Sequence, residues 1–140
     1  MQAWESTIGH LQARLAATAG LPSLLAAGFD TFELIRVAAE ICQDQPGPAF
    51  ATWAMTSAKA AAGRNALASA PSLPSGGDRT EAAALTSGDE AAAAAMGGLA
   101  ARLAACMAAA AHRASAGDRA ACEHAVGRTA HIANLLAGAG

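Results

Sequence analysis

Apolar residues recur every three or four positions along most of this chain, which is the spacing of one face of an α-helix. The first such stripe predicts a helix over residues 2–19 and consists of Trp4, Ile8, Leu11 and Leu15. The following Gly20-Leu21-Pro22 is expected to end this helix, because glycine and proline are unfavourable in helix interiors.

A second helix is predicted to begin at Asp30, after a short turn capped by Ser23 and closed by Gly28. Asp30 and Glu33 have the spacing of a capping box, in which two side chains bond the first free amides of a helix. The helix is expected to end near Asp44, before two prolines. Its inward stripe is expected to be Phe32, Ile35, Ala39 and Cys42.

A third helix is predicted from Pro48 to about Ser69, with Phe50, Trp53 and Ala54 as its heaviest inward group. Gly63 inside this helix costs roughly 1 kcal/mol relative to alanine. The proline, glycine and serine residues at about 70–79 cannot sustain a helix, and they predict one long crossover loop at an end of the molecule.

A fourth helix shows a coiled-coil-like seam, formed by Met96, Leu99, Leu103, Cys106 and Ala110. Two capping-box spacings, Asp78 to Glu81 and Ser87 to Glu90, leave open where it starts or whether it bends. Gly97 and Gly98 are expected to let a neighbouring helix approach closely.

A last helix is predicted to start at Ser115 or Asp118, after a break at Gly117, and to run to about Ala137. Its inward residues are expected to be Cys122, Val126, Thr129, Ile132, Ala133 and Leu136. No segment alternates apolar and polar residues with the period of a β-strand. The sequence therefore predicts an all-α domain spanning 1–140, an antiparallel bundle of four main helices with a fifth as the alternative.

Alanine occupies 44 of the 140 positions, and 54% of all residues are hydrophobic. An alanine-rich core buries fewer methylene groups per residue than a leucine core, and each methylene contributes about 0.8 kcal/mol. Apolar surface is therefore expected to remain for self-association, through the alanine and glycine face of the fourth helix in a two-fold dimer.

Charge and composition disfavour several partners. A net charge of -2, with nine Lys and Arg residues and 4% aromatics, offers no basic or stacking surface for nucleic acid. The first residues show no signal-peptide pattern and the three cysteines form no CxxC pair, which predicts a cytoplasmic protein. The apolar stretch Ala91 to Ala111 is interpreted as a buried bundle helix and not a membrane span, because alanine is barely apolar and Arg102 interrupts it.

No metal or cofactor is predicted. His124 and His131 are two helical turns apart, about 10.5 Å along the axis, so these two cannot chelate one ion. No glutamate has a histidine three residues later, and the cysteines lie on apolar stripes, where they act as small hydrophobes. Nucleotide-binding and nucleophile motifs are absent from the sequence, and whether the chain is an enzyme stays open.

Two sets of residues are candidates for ligand binding. The first is an apolar pocket under the loop 71–77, in which Arg64 would hold an acidic group; its members are Phe50, Trp53, Met55, Arg64 and Leu73. In the structural alternative, Leu73 plugs the bundle end and Arg64 caps carbonyl groups. The second is an anion-binding helix face formed by His124, Arg128 and His131, although the sequence favours a solvated helix edge at these positions.

These observations favour a non-catalytic interaction or assembly module that forms a homodimer or binds a protein partner. The alternative is a small-molecule-binding bundle for a small apolar or acidic ligand, using one of the two candidate sites.

Overall fold

The computed structural model describes residues 3–17, 20–44, 50–74 and 90–139. Across these ranges the protein is all-helical and contains no strand, as the sequence predicts. The described helices are α1 (Ala3–Ala16), α2 (Leu21–Gln43), α3 (Phe50–Ala68), α4 (Glu90–Ala111) and α5 (Ala116–Ala139).

The helices pack together around one apolar core. Helix α2 contacts α3, α3 contacts α5, α5 contacts α4, and α4 contacts α2, while α1 lies against α2 and α4. The largest side chains of the core are completely buried, among them Phe32, Leu67, Leu99, Leu103, Met107 and Ile132. On α1, Ile8, Leu11 and Leu15 are buried as the first stripe predicts.

Helix α2 is continuous, so the predicted turn between Ser23 and Gly28 is wrong. Pro22 lies in its first turn, where the missing N–H of proline removes no intrahelical hydrogen bond. Gly28 lies inside the helix, at a close approach of three helices: a Cβ there would lie 3.0 Å from the side chains of both Leu67 and Met107. The break after α1 falls at Gly20, whose φ of 97° lies in the region that glycine tolerates best.

The predicted capping box at Asp30 and Glu33 is also wrong, because both residues lie in the interior of α2. Their carboxylates make ion pairs with neighbouring helices instead. Asp30 pairs with Arg14 of α1 at 2.6 Å, and Glu33 pairs with Arg64 of α3 at 2.6 Å. The three-residue spacing of acidic side chains therefore joins the interior of α2 to two different helices here, and does not mark the start of a helix.

The inward face of α3 differs from the prediction at Phe50, which is 54% exposed. The buried positions of this helix are Trp53, Thr56, Ala60, Gly63 and Leu67. Gly63 has a packing role, because a Cβ at this position would overlap the Phe32 ring of α2. Small residues thus form most of the buried face, and a search for large apolar residues misses it.

The predicted inward faces of α4 and α5 are largely confirmed. Met96, Leu99, Leu103 and Ala110 are buried, while Cys106 is half-buried and Met107 is buried beside it. The expected close approach at Gly97 and Gly98 is wrong: a Cβ at Gly97 would make an ordinary 3.6 Å contact, and one at Gly98 would meet open space. On α5, Cys122, Thr129, Ile132 and Leu136 are buried, and Val126 and Ala133 are half-buried.

Helix α5 begins at Ala116, so Gly117 lies in its first turn and does not break the pattern. A Cβ at Gly117 would lie 2.9 Å from Pro71, which explains the glycine. The carbonyl of Ser115 accepts the first helical hydrogen bond, from the amide of Arg119 at 2.7 Å. The loop after Pro74 and the predicted capping box from Asp78 to Glu81 lie outside the described residues. Of the predicted box from Ser87 to Glu90, only Glu90 is described.

Candidate functional site

Phe50, Trp53 and Met55 of α3, which the sequence predicts to line one pocket, do not lie on a common surface. Trp53 is 3% exposed and belongs to the core, whereas Phe50 is 54% and Met55 is 45% exposed. Phe50 and Met55 are the large hydrophobic side chains that the described part of the protein leaves in solvent.

Arg64 is engaged by a carboxylate of the protein itself. Its Nη1 donates to Glu33 Oε2 at 2.6 Å, and Glu33 also accepts from Arg36, which in turn bonds Glu40 at 2.8 Å. The hydrogen bond from Arg36 is the largest cause that holds the pKa of Glu33 below its ordinary value, against the opposing effect of partial burial. Arg64 therefore links α3 to α2, a role that neither sequence interpretation included.

The segment after α3 is anchored to the start of α5. The Ser72 amide and hydroxyl donate to the two oxygens of Asp118, at 3.0 and 2.6 Å. These bonds to Ser72 lower the pKa of the buried Asp118 carboxyl. Leu73 is half-buried and packs against the core, which is the position expected of a plug at the end of the bundle.

The predicted anion-binding face lies on the outside of α5. His124 and His131 are exposed and Arg128 is half-buried between them. Among the residues that the structure describes, no salt bridge involves any of the three, and no cluster of three His, Cys, Asp or Glu side chains could hold a metal ion.

The three cysteines are free thiols in different surroundings. Cys42 and Cys122 are buried, and burial raises the pKa of the Cys122 thiol. Cys106 is half-buried, with its Sγ 3.6 Å from the Leu15 carbonyl oxygen of α1. Cys106 is therefore the cysteine that a small reagent reaches most easily.

A cavity of about 470 Å³ lies where the end of α1 and the start of α2 meet the last turns of α4, and we name it the α1–α2–α4 cavity. Its volume falls within the range of about 300–1,000 Å³ that is usual for small-molecule sites. The cavity is lined by Leu15, Ala16, Ala17, Gly20, Leu21, Leu24, Cys106, Ala109, Ala110 and Arg113.

The α1–α2–α4 cavity arises because small residues face one another. Half of the lining residues that the structure describes are alanine or glycine, which leave space that larger side chains would fill. Leu15, Leu21 and Leu24 supply the remaining apolar wall. Of the lining residues that the structure describes, Arg113 alone carries a charge.

Arg113 follows the end of α4, but another arginine bonds the terminal carbonyl groups there. Arg119 Nε donates to the Ala111 carbonyl at 3.0 Å and its Nη2 donates to the Ala114 carbonyl at 3.3 Å. The Arg113 guanidinium forms no salt bridge within the described ranges, and the residue is exposed. Its charge is therefore available at the cavity.

A second groove of about 390 Å³ lies between α4 and α5, and His112, Arg119 and Glu123 are among its lining residues. Arg119 is already bonded to backbone carbonyls at this site. The groove is therefore less suited to ligand binding than the α1–α2–α4 cavity.

The outward face of α4 carries a regular row of small residues, which we name the outer stripe of α4. Its members, at intervals of four and three, are Ala94, Gly98, Ala101, Ala105 and Ala108, and all are exposed. The stretch Ala93–Ala111 is also long and apolar enough to cross a membrane, although it packs against three other helices here. A core helix of this length meets the same criterion.

The sequence contained a weak signal for the α1–α2–α4 cavity. Ala16-Ala17 ends the first apolar stripe, and Ala109-Ala110 ends the seam of α4. Only the folded arrangement brings these pairs together around Leu21 and Leu24. Comparison of the chain with protein families, characterised proteins and solved structures finds no match.

Proposed function

We propose that this protein binds a small, largely apolar molecule in the α1–α2–α4 cavity. The observation that carries the proposal is a cavity of about 470 Å³ with three leucines and five small residues in its wall. Each Å² of apolar ligand surface that becomes buried contributes roughly 25 cal/mol to the free energy of binding. This contribution favours binding and requires no catalytic group. This site differs from both candidate sites predicted from the sequence. Binding of a small molecule is the function that the sequence predicts as the alternative.

Cys106 provides a direct test, because its half-buried thiol lines the cavity while Cys42 and Cys122 are buried. We expect a neutral apolar probe, 1-octanol, to slow the alkylation of Cys106 by iodoacetamide in a saturable manner. Mass spectrometry of the intact and digested protein measures the rate at each cysteine. An unchanged rate for Cys106 at every octanol concentration would contradict the proposal.

A cavity-filling variant gives the matched control. Ala109→Phe places an aromatic ring at an exposed lining position, whereas Ala130→Phe places the same ring at an exposed position of α5 outside the cavity. We expect Ala109→Phe to abolish protection of Cys106 by octanol, and Ala130→Phe to retain it. Equal protection in the two variants would place the octanol elsewhere.

We propose self-association through the outer stripe of α4 as a second function. Small side chains at intervals of four and three allow a second helix to pack close to the backbone, and an isologous dimer would bury the stripe on both copies. A protein partner with a similar helix would use the same surface.

Light scattering tests the second function at micromolar protein concentration. A dimer has twice the chain mass of 13.7 kDa, and Ala101→Glu on the stripe should return it to the mass of one chain. Ala130→Glu on α5 is the control and should leave the dimer intact. A monomer mass for the unmodified protein would exclude this function.

For the architecture, we propose a four-helix bundle made of α2, α3, α5 and α4, with α1 as a fifth helix packed on its outside. The closed series of contacts among the four helices supports this arrangement. In this proposal α2 runs antiparallel to α3 and α4 antiparallel to α5, because short connections favour antiparallel neighbours. A single domain of this kind predicts one cooperative unfolding transition.

A further inference from the structure

We propose that the ligand of the α1–α2–α4 cavity is an amphipathic anion, a medium-chain carboxylate. Its hydrocarbon tail contacts Leu15, Leu21 and Leu24, and its acidic group pairs with Arg113. This inference rests on the proposed function and adds to it the chemical class of the molecule bound.

The walls of the cavity select for hydrocarbon. Leu15 is buried, Leu21 and Leu24 are half-buried, and the alanines beside them add further apolar surface. A hydrocarbon chain that covers these side chains removes apolar surface of both partners from water. A compact hydrophilic anion, such as inorganic phosphate, would leave this wall uncovered.

Arg113, the one charged residue among the described lining residues, selects for an acidic group. Arg113 lies at one side of the cavity with no carboxylate among the other described lining residues. Arg119 donates to the carbonyl of Ala111, the last residue of α4, so this carbonyl does not need Arg113 as a partner. A planar guanidinium pairs well with a carboxylate, because two parallel hydrogen bonds match its geometry.

The helix ends around the cavity carry partial charges of both signs, because the start of α2 is positive and the ends of α1 and α4 are negative. Helix α2 begins at Leu21, and Gly20 before it has no side chain to bond the first-turn amides. The start of a helix carries partial positive charge, which favours an anion beside it. The helix ends therefore oppose one another, and the guanidinium of Arg113 decides the preference for an anion over a cationic amphiphile.

The experiment compares three probes with the same eight-carbon chain: octanoate, 1-octanol and octylammonium. Calorimetric titration and protection of Cys106 from iodoacetamide report binding to the full chain. We expect octanoate to bind about threefold more tightly than octanol, as an ion pair with an exposed arginine allows, and octylammonium to bind least tightly. Added salt should weaken octanoate binding and leave octanol binding unchanged.

The variants Arg113→Gln and Arg102→Gln separate a local ion pair from net charge. Arg102 is exposed on α4 and lies outside the cavity, so its replacement should preserve the preference for octanoate. Arg113→Gln should make octanoate and octanol bind equally. Circular dichroism verifies that both variants keep their helix content.

The outcomes distinguish this inference from the function on which it rests. Equal binding of octanoate and octanol to the unmodified protein, with both blocked by Ala109→Phe, would overturn anion recognition and retain an apolar site. A preference for octanoate that survives Arg113→Gln would also overturn it. Failure of all three probes to bind would overturn the proposed function as well.

Discussion

The contact between α2 and α3 and the junction of α1 with α2 and α4 use small residues in opposite ways. At the first, Gly63 faces the Phe32 ring so closely that a Cβ would overlap it. At the second, alanines and glycine border a cavity of about 470 Å³. A small residue therefore gives dense packing where a large side chain fills its space, and a cavity where other small residues face it.

Helix α2 contacts its neighbours in different ways on two of its sides. Gly28 accepts Leu67 of α3 and Met107 of α4, and a Cβ there would lie 3.0 Å from each. On the side that faces α1, α2 has fewer contacts than it has with α3, and Asp30 forms an ion pair with Arg14 of α1 there. The side chains that face the small residues therefore decide the outcome.

Replacement of Phe32 should have the largest effect on stability. Phe32 is completely buried, and Phe32→Ala is expected to lower the free energy of unfolding by about 3–5 kcal/mol, because it leaves a void beside Gly63. Leu24→Ala, at the half-buried wall of the cavity, should lower it by only about 1 kcal/mol. Urea unfolding measures both values, and equal losses would contradict the contrast in packing.

Addition of one methyl group at Gly63 should also destabilise the protein. Alanine favours the helix by roughly 1 kcal/mol, but the overlap with Phe32 should outweigh this gain and give a net loss of about 1–3 kcal/mol. Gly127→Ala on α5, which meets open space, should instead stabilise by about 0.5–1 kcal/mol. If both variants are stabilised in thermal unfolding, the close contact at Gly63 is absent.

At the looser junction, added volume should be favourable. Ala109→Phe is expected to stabilise the protein by about 0.5–1 kcal/mol relative to Ala130→Phe, because its ring covers apolar cavity wall. Both variants replace an exposed helical alanine, so the difference in helix propensity cancels. Chemical unfolding of the two proteins measures the difference, and a negative value would mean that the junction is already filled.

The smallest expected effect concerns the ion pair across the tighter contact. Glu33 has a pKa below its ordinary value of 4.5 in the folded protein, chiefly because Arg36 donates a hydrogen bond to it. Its stabilisation is therefore present above about pH 4.5 and is lost as the pH falls through the lower, folded value. Its solvent exposure limits the contribution to about 0.5 kcal/mol.

Unfolding free energies between pH 6 and pH 3 test this prediction. Glu33→Gln should reduce the loss of stability on acidification, and Arg64→Gln should reduce it by a smaller amount, because Arg36 still bonds the carboxylate. Identical pH profiles for Glu33→Gln and the unmodified protein would show that this pair contributes nothing.

The helical segments could be predicted from the sequence, but two details of α2 and α3 could not. The predicted capping box at Asp30 and Glu33 depends on spacing alone, and the same spacing occurs here between two interior carboxylates that pair with different helices. Phe50 was expected inside because it is large and apolar, yet Gly63 and Ala60 occupy the buried face and Phe50 is 54% exposed. Local pattern does not reveal which small residues face a neighbour.

The candidate site was predicted less well than the fold. Arg64 was selected as an isolated donor, but Glu33, thirty-one residues away, supplies its partner. Arg113 was not selected, because nothing near it in sequence suggests a pocket. Its neighbours in the cavity come from α1 and α2, and only tertiary packing brings them within reach.

Helix propensity and the recurrence of apolar residues are local properties, and they account for the all-helical character of the described chain and for the inner seams of α4 and α5. The location of close packing, of ion pairs and of the cavity depends on residues that lie far apart along the chain. Alanine carries little information about its partner, because its single methyl group fits equally against a ring, another alanine or water. The tertiary structure alone therefore decided where this protein is dense and where it is open.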